Sequence, residues 1–210
     1  TDFWELDDGL VFMVMEHLEG QTLLELLRQS GPQPLKRVIG IMVQLCDALS
    51  AAHETGVIHR DLKPENILLI PHSSNPDFVK VLDFGISKLV GSDSDGVDLA
   101  TRDGGILGTP WYMAPEQMKG LADVDHRADI YALGVLLFEL LVGRPPFAAR
   151  SWPELSLQVC TQVPPTLCEA RFGLTPEEED LYQRMLAKDR DDRPASCFEV
   201  KRELESLGRH

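Results

Sequence analysis

The stretch that decides the fold reads His59-Arg60-Asp61-Leu62-Lys63-Pro64-Glu65-Asn66. It is followed, seventeen residues after Asn66, by Asp83 within Val81-Leu82-Asp83-Phe84-Gly85. Before the first run, Leu35, Val38, Met42, Leu45, Leu49 and Ala52 recur at three- and four-residue steps, which predicts an amphipathic helix stopped by Gly56. After it come two short apolar runs, Ile67 to Ile70 and Val79 to Leu82, separated by Pro71 to Asp77, which predicts a small hairpin. A loop pinned between a helix and a strand holds polar groups rigidly, and hairpin geometry brings Asp83 near Asn66. Aspartate and asparagine are hard oxygen donors suited to magnesium. Asp61, Lys63, Asn66 and Asp83 therefore combine a proton acceptor, a phosphate-binding cation and two metal ligands, a set that fits phosphoryl transfer.

Working outward, Phe3 to Leu6 and Leu10 to Met15 are β-rich runs around Asp7-Asp8-Gly9, a hairpin signal. Thr22 and Glu25 form a capping box ahead of Leu23, Leu24, Leu26 and Leu27, and Gly31 ends that helix. From Gly91 to Gly105 the chain is rich in Ser, Asp and Gly, the composition of a long surface loop. Helices are expected over Asp129–Val142, Pro176–Leu186 and Ser196–Leu207. No internal repeat stands out.

The 210 residues carry a net charge of −14 with 43% hydrophobic residues, which suits an ordinary globular chain. The acid excess argues against nucleic acid as a partner, because a phosphate backbone needs a basic face. Cys46, Cys160, Cys168 and Cys197 have neither zinc-ligand nor redox-pair spacing and read as reduced thiols of a cytoplasmic protein. Ala132 to Val142 is too short to span a bilayer and contains Glu139, so no membrane segment is expected within this chain.

These motifs resemble the eukaryotic-type serine/threonine protein kinases, and the likeness covers essentially the whole chain. Gly108-Thr109-Pro110-Trp111-Tyr112-Met113-Ala114-Pro115-Glu116 resembles the end of the activation segment. Asp129, Arg144-Pro145-Pro146-Phe147 and Arg193 follow in the family's order, in wording most similar to bacterial members. Taken singly, Asp61 or Asn66 would be an ordinary turn residue, Lys63 a solvated charge, and Met13, Met15, Leu68 and Phe84 core. Only their order and spacing together carry the reading.

The resemblance implies a mainly α (α+β) fold, the C-terminal lobe of a protein kinase with a short N-terminal β-hairpin. Residues 1–18 would be the end of the small lobe and the hinge, 19–210 the large helical lobe, and 83–116 the activation segment. It implies ATP and Mg2+ as cofactors and Ser/Thr-bearing proteins as substrates. Asp61 would orient the substrate hydroxyl, since a carboxylate is a weak base toward an alcohol, and Lys63 would hold the transferred group. Asn66 and Asp83 would hold magnesium. Met15 would be the gatekeeper, the backbones of Glu16 and Leu18 would bind adenine, and Leu68 would floor its pocket.

Asp129 would anchor the catalytic-loop backbone, and Glu116 would form a buried ion pair with Arg193. Arg60 would pair with a phosphate on the activation segment, for which Thr101, eight residues before Thr109, is the expected carrier; Ser92 and Ser94 are alternatives. Asp103 would partly mimic a second phosphate. The residues around Lys63, together with Thr109, favour Ser/Thr over Tyr specificity. Thr22 stands where some kinases carry an acid that reads substrate arginine, so a preference for basic substrates is not supported.

The family's glycine-rich loop, strand lysine and helix glutamate are not found in the 210 residues. The chain is therefore expected to be a piece of the enzyme with a segment missing before Thr1, weakly active or inactive by itself. The four intact polar residues favour an enzyme over a catalytically inactive binding or scaffold module of the same fold.

Overall fold

A long helix that is apolar on every face has to lie inside a protein, and the chain has one. In the computed structural model, which describes residues 2–5, 11–14, 16–72, 75–84, 110–171 and 173–208, every residue from Ala128 to Leu141 is buried. They belong to helix α4 (Arg127–Val142), capped by Gly143 in the left-handed conformation at φ 85°. Such all-round burial marks a central helix rather than a surface one.

Around it are α1 (Leu23–Ser30), α2 (Leu35–Glu54), the short α3 (Pro115–Met118), α5 (Trp152–Thr161), α6 (Leu167–Ala170), α7 (Pro176–Met185) and α8 (Cys197–Leu207). The expected α1 begins where its capping box predicts: Thr22 Oγ1 accepts from Glu25 N–H at 3.2 Å, and Glu25 Oε2 accepts from Thr22 N–H at 2.9 Å. α2 buries Val38, Ile41, Met42, Leu45 and Leu49 and packs against α4 and α8. At about 1.5–3 kcal/mol per large apolar side chain, that stripe outweighs any propensity difference along the helix. None of the described helices is long and apolar enough to cross a membrane.

Two small sheets accompany the helices, the second of them completed by strands that follow α2. β1 (Asp2–Glu5) pairs antiparallel with β2 (Val11–Val14), as the hairpin signal predicts. The second sheet has three strands in the order β3 (Gln21–Thr22), β4 (Ile67–His72), β5 (Asn75–Val81), all antiparallel. Its strands run further into Pro71–Asp77 than the sequence suggests. They can because Pro71 falls where the register shifts between Ile70 and His72, and Pro76 lies on the edge strand, so neither proline interrupts a needed bond. Hydrogen bonds then fasten the hairpin to α2: Gln44 Oε1 accepts from Val79 N–H and its amide donates to Asp77 O, while Arg37 grips the Asp77 carboxylate at 2.6 and 2.8 Å. The strand that follows Asn66 and the strand that precedes Asp83 are thus fixed to the core.

Met15, Ser92, Ser94, Thr101, Asp103, Thr109 and the Gly91–Gly105 loop lie outside the described residues.

Candidate active site

Between α2 and β4 the backbone of the His59–Asn66 stretch hangs from one carboxylate on the central helix. Asp129 Oδ2 accepts from His59 N–H and Oδ1 from Arg60 N–H, both at 2.9 Å, and His53 Nε2 lies 2.7 Å from Oδ2. Arg60 sits at φ 66°, which costs a residue with a Cβ about 1–2 kcal/mol. A hydrogen bond to a charged group contributes about 1.5–3 kcal/mol, so the two made by Asp129 outweigh that strain. The fully buried His59 then links the loop to the hairpin. Its Nδ1 accepts from Asp61 N–H at 3.3 Å, which leaves the proton on Nε2 to be donated to Leu82 O at 2.8 Å. Its ring also rests on Phe84, centroids 5.0 Å apart.

This frame presents the polar groups. Asp61 is half exposed, with Lys63 Nζ 2.6 Å from its Oδ2. Asn66 closes a 3-10 turn over Pro64–Asn66 and donates through Nδ2 to Asp61 O at 2.9 Å. That bond fixes the amide orientation and leaves Oδ1 as the oxygen available to a hard cation. Leu82 N–H donates to Asn66 O at 2.8 Å, which brings the chain at Asp83 alongside Asn66. Asp83 is exposed and left-handed at φ 57°; it and Arg60 are the two positive-φ residues other than glycine among those described. Strain of this kind gathers at functional sites. An amide oxygen and an exposed carboxylate on neighbouring strand ends suit magnesium, so the residues fit the ion the resemblance implies.

Leu68 is buried on β4, Leu18 is half-buried and Glu16 exposed in the segment leading to β3. Gly20 lets that segment touch the strand: a Cβ there would lie 2.5 Å from Leu69 O and 3.0 Å from Leu68 Cγ. Glu116 and Arg193 are paired through two contacts of 2.7 and 2.8 Å with both side chains out of water. Arg60 extends toward Val124 O, 3.5 Å from its NH2.

Three contributors escape a reading of the sequence. Gln117 donates to Arg60 O at 2.8 Å and accepts from Ala114 N–H, joining the start of α3 to the His59–Asn66 stretch. His53 braces Asp129, and Gly20 sets the approach to β4. Only Gly20 carries a sequence signal, a glycine just before a capping box. Behind the site, Tyr112 OH donates to Glu139 Oε2 at 2.6 Å. Burial holds the Glu139 carboxyl above the usual carboxylate range against that bond, and burial likewise pushes the Tyr112 phenol up.

The chain is similar to known proteins over nearly its whole length. The family model described as "Protein kinase domain" matches residues 1–203. The chain is 45% identical over 208 residues to serine/threonine-protein kinase pkn3 of Myxococcus xanthus, covering 98% of this chain and 38% of that protein. It is 35% identical over 195 residues to serine/threonine-protein kinase PknB of Mycolicibacterium smegmatis, covering 93% of this chain and 30% of that one. It therefore spans about a third of the length of these curated relatives. The crystal structure of the Mycobacterium tuberculosis PknI kinase domain superimposes with a TM-score of 0.71 at 28% identity, over 98% of this chain and 69% of that one. With the fold, the order of motifs and the relatives in agreement, this chain belongs to the protein kinase family.

Proposed function

We propose that the chain carries the catalytic lobe of a serine/threonine protein kinase, which transfers the γ-phosphoryl group of ATP to Ser or Thr hydroxyls of protein substrates. The observation that carries this reading is the half-exposed Asp61 carboxylate with Lys63 at 2.6 Å, on a loop whose backbone is bonded to the buried Asp129. Asp61 orients the substrate hydroxyl and takes its proton as the oxygen bonds to phosphorus and ADP departs. Lys63 transfers its charge from Asp61 to the phosphoryl group. An exposed ion pair is worth about 0–1 kcal/mol, so this exchange meets little resistance. Asn66 and Asp83 would hold Mg2+, which would offset charge on the nucleotide phosphates.

Residues 1–18 act as the end of the small lobe and hinge, and 19–210 as the large lobe, with 83–116 the activation segment. Glu16 and Leu18 offer backbone groups to adenine over Leu68, with Met15 as gatekeeper. Arg60 receives a phosphate carried by Thr101, and Thr109 goes with Ser/Thr rather than Tyr specificity.

The test is phosphate transfer from Mg-ATP to a general Ser/Thr protein substrate by the full product of the gene, since the glycine-rich loop, strand lysine and helix glutamate of the family do not occur in these 210 residues. The 210-residue chain alone is expected to transfer weakly or not at all. Asp61→Asn should lower the full product's rate by roughly 10²–10⁴. Absence of transfer by the full product to any hydroxyl substrate would overturn the reading.

A further inference from the structure

The peptide plane between Arg60 and Asp61 sets the direction in which the Asp61 side chain leaves the backbone, and its two polar atoms are held unequally. Its N–H donates to His59 Nδ1 at 3.3 Å, a long bond made within the His59–Asn66 stretch itself. Its carbonyl, Arg60 O, accepts from Gln117 Nε2 at 2.8 Å, across 57 residues of chain. Arg60 at φ 66° occupies a conformation that a residue with a Cβ avoids, so it persists only while the planes on both sides are held. Asp129 holds the plane before it, through Arg60 N–H, and Gln117 holds the plane after it.

Gln117 is itself fixed. Its Oε1 accepts from Ala114 N–H at 3.0 Å; because Arg60 O can only accept and Ala114 N–H can only donate, a single orientation of the amide satisfies both. The four-residue α3 on which it sits is too short to stand alone. Its neighbour Glu116 anchors that helix, through the pair with Arg193 that lies out of water. A line of contacts and covalent bonds therefore runs from Arg193 through Glu116 and Gln117 to the plane that carries Asp61.

We infer that Gln117 is a positioning residue for phosphoryl transfer, an inference that rests on the proposed reaction: by holding Arg60 O it sets the direction from which Asp61 meets the substrate hydroxyl. Released from Gln117, the plane is left with its 3.3 Å bond alone, and the half-exposed Asp61 carboxylate has no packing around it to keep its place beside Lys63. A misplacement of about 1 Å in a group that orients a reactant costs on the order of 10² in rate. The plainer role for Gln117 is to satisfy Ala114 N–H at the start of α3. That role uses Oε1 alone and has no need of the bond from Nε2 to Arg60 O.

The experiment compares the full gene product with its Gln117→Glu and Gln117→Leu variants. Gln117→Glu keeps an acceptor for Ala114 N–H but sets an oxygen where the donor to Arg60 O stood; Gln117→Leu removes both bonds. Each variant should lose about tenfold in kcat, the worth of one hydrogen bond, with KM for Mg-ATP unchanged. If Gln117→Leu unfolds, Gln117→Glu decides alone, and a parental kcat in that variant would leave Gln117 as a helix-start residue and sink the inference. Hydrogen–deuterium exchange followed by mass spectrometry reads the same hold without any reaction. The Asp61 amide should exchange about tenfold faster in both variants, while the amides of His59 and Arg60, bonded to Asp129, keep their parental rates and report an intact fold. An unchanged Asp61 amide refutes the inference whether or not phosphate is transferred. A parent that transfers no phosphate overturns the proposed activity, and a faster Asp61 amide then still upholds the hold of Gln117 on Asp61.

Discussion

Arg60 is held at φ 66° with its N–H 2.9 Å from Asp129 Oδ1, so a strained backbone faces a buried carboxylate that offsets the strain. Asp129→Ala removes the acceptor for two loop amides and should destabilise the fold by about 3–5 kcal/mol, the cost of breaking a buried charged contact. Arg60→Gly relieves about 1–2 kcal/mol of strain. Combined with Asp129→Ala it should recover that much of the loss, which a double-mutant cycle by urea unfolding would measure.

Gly134 lies in the buried α4, where alanine would ordinarily be the better helix former by about 1 kcal/mol. A Cβ there would come within 2.9 Å of Leu186 Cδ2 and 3.0 Å of Met185 Cβ. Overpacking of that kind costs about 1–3 kcal/mol, so the clash should outweigh the propensity gain. Gly134→Ala is expected to lower the midpoint of thermal unfolding.

Glu139 supplies a pH dependence. Burial raises its carboxyl from the ordinary 4.5, the Tyr112 bond opposes the shift, and the charge of Glu65 adds to it. Below 4.5 the group is protonated folded or unfolded; as pH rises through the raised folded value, the charged form is penalised only in the fold. Stability from this group is therefore lost with rising pH. Glu139→Gln keeps an acceptor for Tyr112 and has no such loss. Urea midpoints should agree near about pH 4, with the variant more stable at about pH 7.5.

Gly20→Ala would bring a Cβ onto Leu69 O, a backbone atom of the sheet's central strand that cannot turn aside. The segment holding Glu16 and Leu18 must move away from Leu68. Affinity of the full gene product for a non-hydrolysable ATP analogue should fall about tenfold by titration calorimetry, the equivalent of roughly 1.4 kcal/mol.

Legibility in the sequence followed contiguity. Asp61, Lys63 and Asn66 lie within six residues, so local spacing alone displays their chemistry. The support from Asp129 is seventy residues from His59, and no spacing rule reaches across a chain that far; only the resemblance suggests it. Gln117 and His53 act through isolated long-range contacts, with no periodic pattern to mark them. α5 escaped because it buries only Leu155 and Val159, too little for a stripe, although Pro153 in its first turn is a helix-start signal. β3 is two residues long, and its pairing depends on Gly20 letting the chain approach β4.

The suspension of the catalytic stretch from α4 has a kinetic consequence. Loop amides ordinarily exchange with solvent deuterium through small local openings, but those of His59 and Arg60 donate to a carboxylate on the most deeply buried helix. Releasing them leaves that buried carboxylate short of partners, at a cost of about 3–5 kcal/mol. These two protons should therefore exchange far more slowly than ordinary loop amides, marking the His59–Asn66 stretch as one of the molecule's slow-opening parts.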